Sequence, residues 1–153
     1  MSEVVIDRTN MHKYFRQTKE YIFVDSIRVY PGEKAEGEGN ITEEAWYFKY
    51  HFPGNPMMPG VFQMEAIMQT AGVIINTLVG KEEHRIYFGA ADNVKIWGSV
   101  IPGDKIETSV HVVSNRRGLW KFQGTASVDG NRKCKMDFTL IDSDDVEDLM
   151  KGR

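Results

Sequence analysis

His51 and Glu65 are the two side chains in this 153-residue chain whose types and spacing best suit proton chemistry, and fourteen positions separate them. An imidazole accepts or gives a proton near neutral pH. Glu65 is the one formally charged residue between Val61 and Val79, in a stretch otherwise suited to a core, and a buried carboxylate must be protonated or be held by a partner. Between the two lie Pro53, Pro56 and Pro59, then Gly60 at the mouth of a helix-compatible segment. Each proline removes a backbone donor and restricts the residue before it, so the stretch reads as a stiffened loop. The free N–H groups of a helix start suit a polarised carbonyl oxygen. A base, an acid and an oxyanion holder are what an α-proton elimination requires. Taken singly, each residue has a plainer reading. A His between Tyr50 and Phe52 is commonly a satisfied core side chain, and an acid in the second turn of a helix is favoured by the dipole alone. Their arrival together in one short stretch favours chemistry.

The surrounding elements follow from periodicity and turn chemistry. Tyr21 to Tyr30 is rich in Tyr, Ile, Phe and Val and ends at Pro31-Gly32, which predicts a strand and a turn. Lys34 to Asn40 alternates Ala35, Gly37 and Gly39 with glutamates, the pattern of an antiparallel return strand solvated on one face. Trp46 to Tyr50 reads as more extended chain. Val61 to Val79 carries apolar residues on every side for about five turns, the mark of a helix buried all round. Four strands are expected at Ile86–Ile96, Lys105–Ser114, Leu119–Val128 and Arg132–Ile141, as an antiparallel meander punctuated by Pro102-Gly103-Asp104, Arg116-Arg117-Gly118 and Asp129-Gly130-Asn131. The acidic tail, residues 142 to 153, reads as a frayed surface segment.

One buried helix and about six antiparallel strands pack most simply as a curved sheet wrapped around the helix, an α+β hot-dog architecture in a single domain. Hydrophobic residues at 41% and charged residues at 27% suit a compact globular protein. No uncharged run long enough for a membrane span occurs. The absence of a signal-like N-terminus and the single Cys134 favour the cytoplasm. A net charge of −3 gives no global attraction to nucleic acid.

The run His51-Phe52-Pro53-Gly54-Asn55-Pro56-Met57-Met58-Pro59-Gly60-Val61-Phe62-Gln63-Met64-Glu65-Ala66 resembles the signature of the small β-hydroxyacyl-ACP dehydratases of type II fatty-acid synthesis, the FabZ-type enzymes. Tyr87 to Lys95, Val100 to Lys105 and Arg116 to Phe122 are similar to later blocks of that family, so the likeness spans roughly residues 21 to 141. It implies that His51 removes the α-proton of a (3R)-hydroxyacyl thioester and that Glu65, or a water it orients, protonates the departing hydroxyl. Gly60 and Val61 would bind the thioester carbonyl, and Gln69, one turn beyond Glu65, would orient the acid. The likeness further implies a homodimer in which His51 of one subunit faces Glu65 of the other, with a trimer of dimers as a higher assembly. Acyl carrier protein is the implied partner, with CoA thioesters as the alternative; no cofactor or metal is implied. Two stretches depart from the family pattern. Arg16 to Asp25 replaces a His-Arg-Tyr-Pro-Phe-like stretch near the substrate channel. Ile96-Trp97-Gly98-Ser99 stands where an aromatic, basic residues and Pro are usual, which leaves the carrier open.

Other residues have bland readings. His12, His84 and His111 show no metal-site spacing. Cys134 in a strand reads as a small hydrophobe. The eight methionines read as core filler, with Met57, Met58 and Met64 as candidates for bordering an acyl tunnel. Arg116, Arg117, Lys121, Arg132, Lys133 and Lys135 are either solvated hairpin charges or one basic patch for an acidic carrier. The competing functions are an acyl-CoA hydratase or dehydratase of a specialised pathway, a hot-dog thioesterase, and a non-catalytic acyl-carrier-binding module.

Overall fold

A computed structural model describes residues 2–78, 81 and 85–142. The strands are β1 (Val4–Asp7), β2 (Ser26–Tyr30), β3 (Lys34–Asn40), β4 (Ile86–Ile96), β5 (Lys105–Arg116), β6 (Leu119–Val128) and β7 (Asn131–Asp142), and the helix α1 spans Gly60–Asn76. They form one seven-stranded sheet in the order β1-β2-β3-β5-β6-β7-β4, and every pairing is antiparallel. The sheet carries α1 on one face, which is the hot-dog arrangement. Among the described residues no helix is long and apolar enough to cross a membrane.

Alternation decides which side of each strand meets the helix. Ile27 and Val29 of β2, Ile106 and Val110 of β5, Phe122 and Ala126 of β6, and Met136 and Phe138 of β7 are buried with Ile67, Ala71 and Ile74 of α1. Their neighbours point to solvent, as period two requires. Two glycines let the helix approach the sheet. A Cβ on Gly124 would collide with the Ile67 side chain, and one on Gly37 would lie 2.6 Å from Thr108 Oγ1. The Thr70 and Thr108 hydroxyls bond each other at 2.7 Å inside this contact, and Thr70 also donates to the Ala66 carbonyl. Both buried hydroxyls are thereby satisfied.

Several expectations change. Only the second half of Tyr21 to Tyr30 is strand: Lys19–Tyr21 forms a 3-10 turn and Ile22 to Asp25 is irregular, because a helix side chain takes the backbone groups a sheet neighbour would have used, as described below. Trp46 to Tyr50 is a series of turns, not extended chain; Phe48 N–H bonds the Ala45 carbonyl, and Tyr50 and His51 N–H both bond that of Tyr47. The meander holds for β5 to β7, but β4 crosses over to pair with β7. β1 was not anticipated. The helix is not buried all round: Val61 is 63% exposed, and Phe62, Glu65, Met68 and Gly72 are half-buried. Its apolar perimeter thus exceeds what one sheet covers. Val79, His84 and residues 143 to 153 of the expected tail lie outside the described residues.

Candidate active site

The loop that carries His51 is closed by backbone bonds, most of them within the loop itself. His51 N–H donates to the Tyr47 carbonyl at 3.0 Å, Phe52 and Asn55 exchange bonds of 3.1 and 2.9 Å, and Met58 N–H donates to the Val100 carbonyl at 2.8 Å. Met57 is gripped from both sides: its N–H donates to the His51 carbonyl at 2.9 Å, and its own carbonyl lies 2.9 Å from His51 Nδ1. A carbonyl oxygen can only accept, so Nδ1 bears the hydrogen in the neutral ring and Nε2 bears the lone pair. The ring also stacks on Phe52, with centroids 3.9 Å apart. Backbone, tautomer and ring plane are all set within one short loop.

The loop delivers the chain into α1 at Pro59, with no side-chain cap. Phe62 and Gln63 N–H both reach the Pro59 carbonyl, at 2.8 and 3.3 Å, so the first-turn donors of Gly60 and Val61 remain for another acceptor. Gly60 is pressed against β4, where an added Cβ would lie 2.7 Å from Ile96 Cδ1. Gln63 is buried and donates from Nε2 to the Gly98 carbonyl at 3.0 Å, which ties the helix start to the segment after β4.

Glu65 and Gln69 share a helix face one turn apart. Gln69 Oε1 accepts the Phe23 N–H at 2.9 Å, while Nε2 donates to the Tyr21 carbonyl at 2.7 Å and to Glu65 Oε1 at 3.3 Å. This amide therefore draws residues 21 to 23 onto the helix and holds the acid as well. Burial pushes the Glu65 carboxyl above its ordinary pKa, and the Gln69 bond offsets part of that push. The Tyr21 phenol is raised too, first by burial and then by the charge of Glu65. Phe62 sits among aromatic rings, stacked on Phe23 at 4.9 Å and edge-on to Tyr47 at 5.3 Å.

Glu65 and Gln69 border a cavity of about 290 Å³ that continues along α1 past Met68, Gly72 and Val73 to Asn76. Its other walls include Tyr14, Phe15, Tyr87 and Phe88. His51, Gly60 and Val61 do not line it, so one chain brings Glu65 to Gln69 but does not gather all five candidate residues around a single space. Met57, Met58 and Met64 do not line it either, and Met58 is core; the bordering methionine is Met68. Asn76 was not singled out for a role, although its eleven-residue separation from Glu65 follows the same helical stripe. Tyr14 and Phe15 come from a segment with no periodic signal.

The six basic residues do not form one patch. Leu119 pairs with Ile141 whereas Val128 pairs with Asn131, so Arg116 and Arg117 lie at the opposite end of the β6–β7 pair from Arg132 and Lys133. Arg132 instead covers the Trp97 ring, 5.3 Å from its centroid, and the Lys133 side chain runs beside Gly98. Cys134 is fully buried and its thiol is pushed up to about 11 by burial, the behaviour of an inert core residue. Among the described residues no cluster of His, Cys, Asp and Glu suits a metal ion.

Known proteins share both the sequence and the fold. A 3-hydroxyacyl-[acyl-carrier-protein] dehydratase FabZ from Geotalea uraniireducens is 39% identical over 113 residues, covering 72% of this chain and 78% of the relative. The protein of the same name from Geobacter metallireducens is 33% identical over 93% of this chain and 98% of its own. Among solved structures, a protein from Pyrococcus horikoshii superposes with a TM-score of 0.66 at 15% identity, over 90% of this chain and 93% of its own. The dehydratase heterocomplex ApeI:P from Xenorhabdus doucetiae gives a TM-score of 0.55 at 19% identity, over 72% and 88%. At such identities the structures speak for the fold alone. The profile of the FabA-like domain matches residues 14–137, and with relatives of this similarity and coverage the chain belongs to the FabA-like family.

Proposed function

We propose that the protein is a 3-hydroxyacyl-[acyl-carrier-protein] dehydratase that converts (3R)-hydroxyacyl thioesters to trans-2-enoyl thioesters in the cytoplasm. The observation that carries this reading is the state of His51. With Nδ1–H engaged by the Met57 carbonyl, Nε2 is a lone-pair base on a rigid loop. It takes the proton α to the thioester carbonyl while Gly60 and Val61 N–H groups hold the carbonyl oxygen. The C–O bond at the β-carbon breaks, its electrons leaving with the hydroxyl, and the carbon–carbon double bond forms. Glu65, whose proton burial makes harder to lose, gives that proton to the hydroxyl, which departs as water. The proton on His51 then returns to the carboxylate through solvent.

A homodimer completes the site. Glu65 opens onto a cavity that His51 does not reach. Among the described residues β4 is the last strand of the sheet, bearing Phe88 at 55% exposure, with Trp97 beyond it at 53%. Such an apolar edge suits a second copy better than water, and a second copy brings His51 of one subunit to Glu65 of the other. Acyl carrier protein is preferred over CoA because basic charge does stand beside residues 96 to 99, supplied from β7 by Arg132 and Lys133.

Hydration of crotonyl-ACP and crotonyl-CoA by the purified protein tests the reading. Hydration of the ACP thioester with weak use of the CoA ester is expected. Preferred use of the CoA ester overturns the carrier assignment, thiol release points to a thioesterase, and inertness to a binding module.

A further inference from the structure

Arg8 follows β1, and its guanidinium grips the segment that precedes β2 at three points. Nη1 donates to the Lys19 carbonyl at 3.2 Å, Nη2 to the Ile22 carbonyl at 2.9 Å, and Nε to Asp25 Oδ1 at 2.9 Å. The other carboxylate oxygen of Asp25 accepts the Asn40 N–H of β3 at 2.7 Å. A surface ion pair alone is worth little, but a planar fork of donors can span two carbonyls where a point charge cannot. Between the gripped carbonyls lies Tyr21, and just beyond them Phe23. These are the residues whose backbone meets Gln69: the Tyr21 carbonyl accepts from Nε2 at 2.7 Å, and the Phe23 N–H donates to Oε1 at 2.9 Å. A carbonyl can only accept and an N–H can only donate, so this pair admits one orientation of the amide. Turned over, the amide would set oxygen against oxygen and N–H against N–H. The admitted orientation leaves a hydrogen on Nε2 for Glu65 Oε1, at 3.3 Å.

We propose that Arg8 is a positioning residue for the dehydration: its guanidinium fixes residues 19 to 25, these fix the Gln69 amide, and the amide presents a donor to Glu65 and not an acceptor. The inference rests on the dehydratase reading and extends it to a residue that does not line the cavity beside the acid. Without the guanidinium the segment can draw back from the helix and the amide can turn over. The Glu65 anion then loses its donor or meets an oxygen, and the carboxyl holds its proton to higher pH.

The test compares Arg8→Met and Arg8→Lys with a control, Arg28→Met. The control removes the Arg28–Glu3 pair at the same N-terminal strand but leaves the backbone pairing of β1 with β2. Each protein is followed by kcat and KM against pH with 3-hydroxybutyryl-ACP, and by carbon-13 NMR titration of the Glu65 carboxyl, assigned with Glu65→Gln. Arg8→Met should lower kcat at the optimum by about two- to tenfold, the worth of one hydrogen bond, and leave KM as it was. It should also move the falling limb of the pH–rate bell and the carboxyl titration upward. Arg8→Lys keeps a charge beside Asp25 but not the fork, so it should act in the same direction, and it carries the test if Arg8→Met does not fold. Arg28→Met should move neither the limb nor the titration. An unchanged titration or limb in a folded Arg8 variant overturns the proposal, as does an effect confined to KM. Equal displacement by Arg28→Met also overturns it, because the cause would be general loosening of the strand. Failure of both Arg8 variants to fold would make Arg8 a stability residue and overturn it as well. If the wild type turns over no hydroxyacyl thioester, the dehydratase reading falls alone, and the carboxyl titration still decides whether Arg8 governs the acid.

Discussion

The stretch before α1 and the helix face from Glu65 to Asn76 are built in opposite ways. Around His51 the chain is tied at short intervals, and the carbonyl of Met57 is used to hold the imidazole in one tautomer. Along the face from Glu65 to Asn76 the packing stops short, a cavity of about 290 Å³ remains, and among the described residues the buried amide oxygen of Asn76 has no donor. A base needs fixed geometry, and a site for variable tails needs room. The first is secured chiefly by backbone bonds between residues three to six positions apart, with Met58 anchored to the distant Val100. The second depends on what the distant segments around Tyr14 and Phe88 leave unfilled. Stability and reach have been placed at different ends of one helix.

The largest expected effect comes from removing the fixed end. His51→Ala should lower kcat by about 10² to 10⁴ while the far-ultraviolet circular dichroism stays that of the folded protein. A folded variant with undiminished turnover would remove the base from the mechanism. Glu65→Gln should come next, keeping substrate affinity but losing most turnover, because the amide cannot release a proton. If each chain holds the acid of one site and the base of the other, mixing these two inactive proteins under subunit exchange should restore a fraction of the activity. Exchange demonstrated by mass spectrometry with no recovery would confine each site to one chain.

Gln69→Leu should act on both stability and chemistry. It strips the Phe23 N–H and the Tyr21 carbonyl of their partners, at a cost of about 1–3 kcal/mol in urea unfolding. It also removes the bond that favours the Glu65 anion. The acid should then stay protonated to higher pH, and the falling limb of the pH–rate bell should move upward. An unmoved limb would mean that Gln69 holds the segment and not the acid. The smallest effect is on the pH dependence of stability. Because the Glu65 carboxyl is raised by folding, its contribution is fully present below its unfolded pKa and is lost as pH rises through the folded one. Glu65→Gln should therefore be more stable than the wild type at neutral pH, and the gap should close below about pH 4. A gap that is constant with pH would show that the carboxyl is not raised.

Much of the scaffold follows from local pattern. The boundaries of β3, β4 and β6 coincide with those read from alternation and turn residues, and those of β5 and β7 fall within two positions. Period two and a turn signal are properties of neighbouring residues, and so is the bundle of His51, three prolines, Gly60 and Glu65. Pairing is not. Nothing in β4 itself says that it joins β7 rather than β5, and nothing near Phe23 says that its N–H will go to a glutamine 46 positions away. That capture is why an apolar, β-prone segment ended as irregular chain. The sequence alone determined which side chains could move protons and which faces had to be buried. Whether His51 meets the cavity of Glu65, and whether Asn76 Oδ1 finds a donor, was decided only by tertiary structure, because both depend on which distant backbone and side-chain groups reach a given atom first.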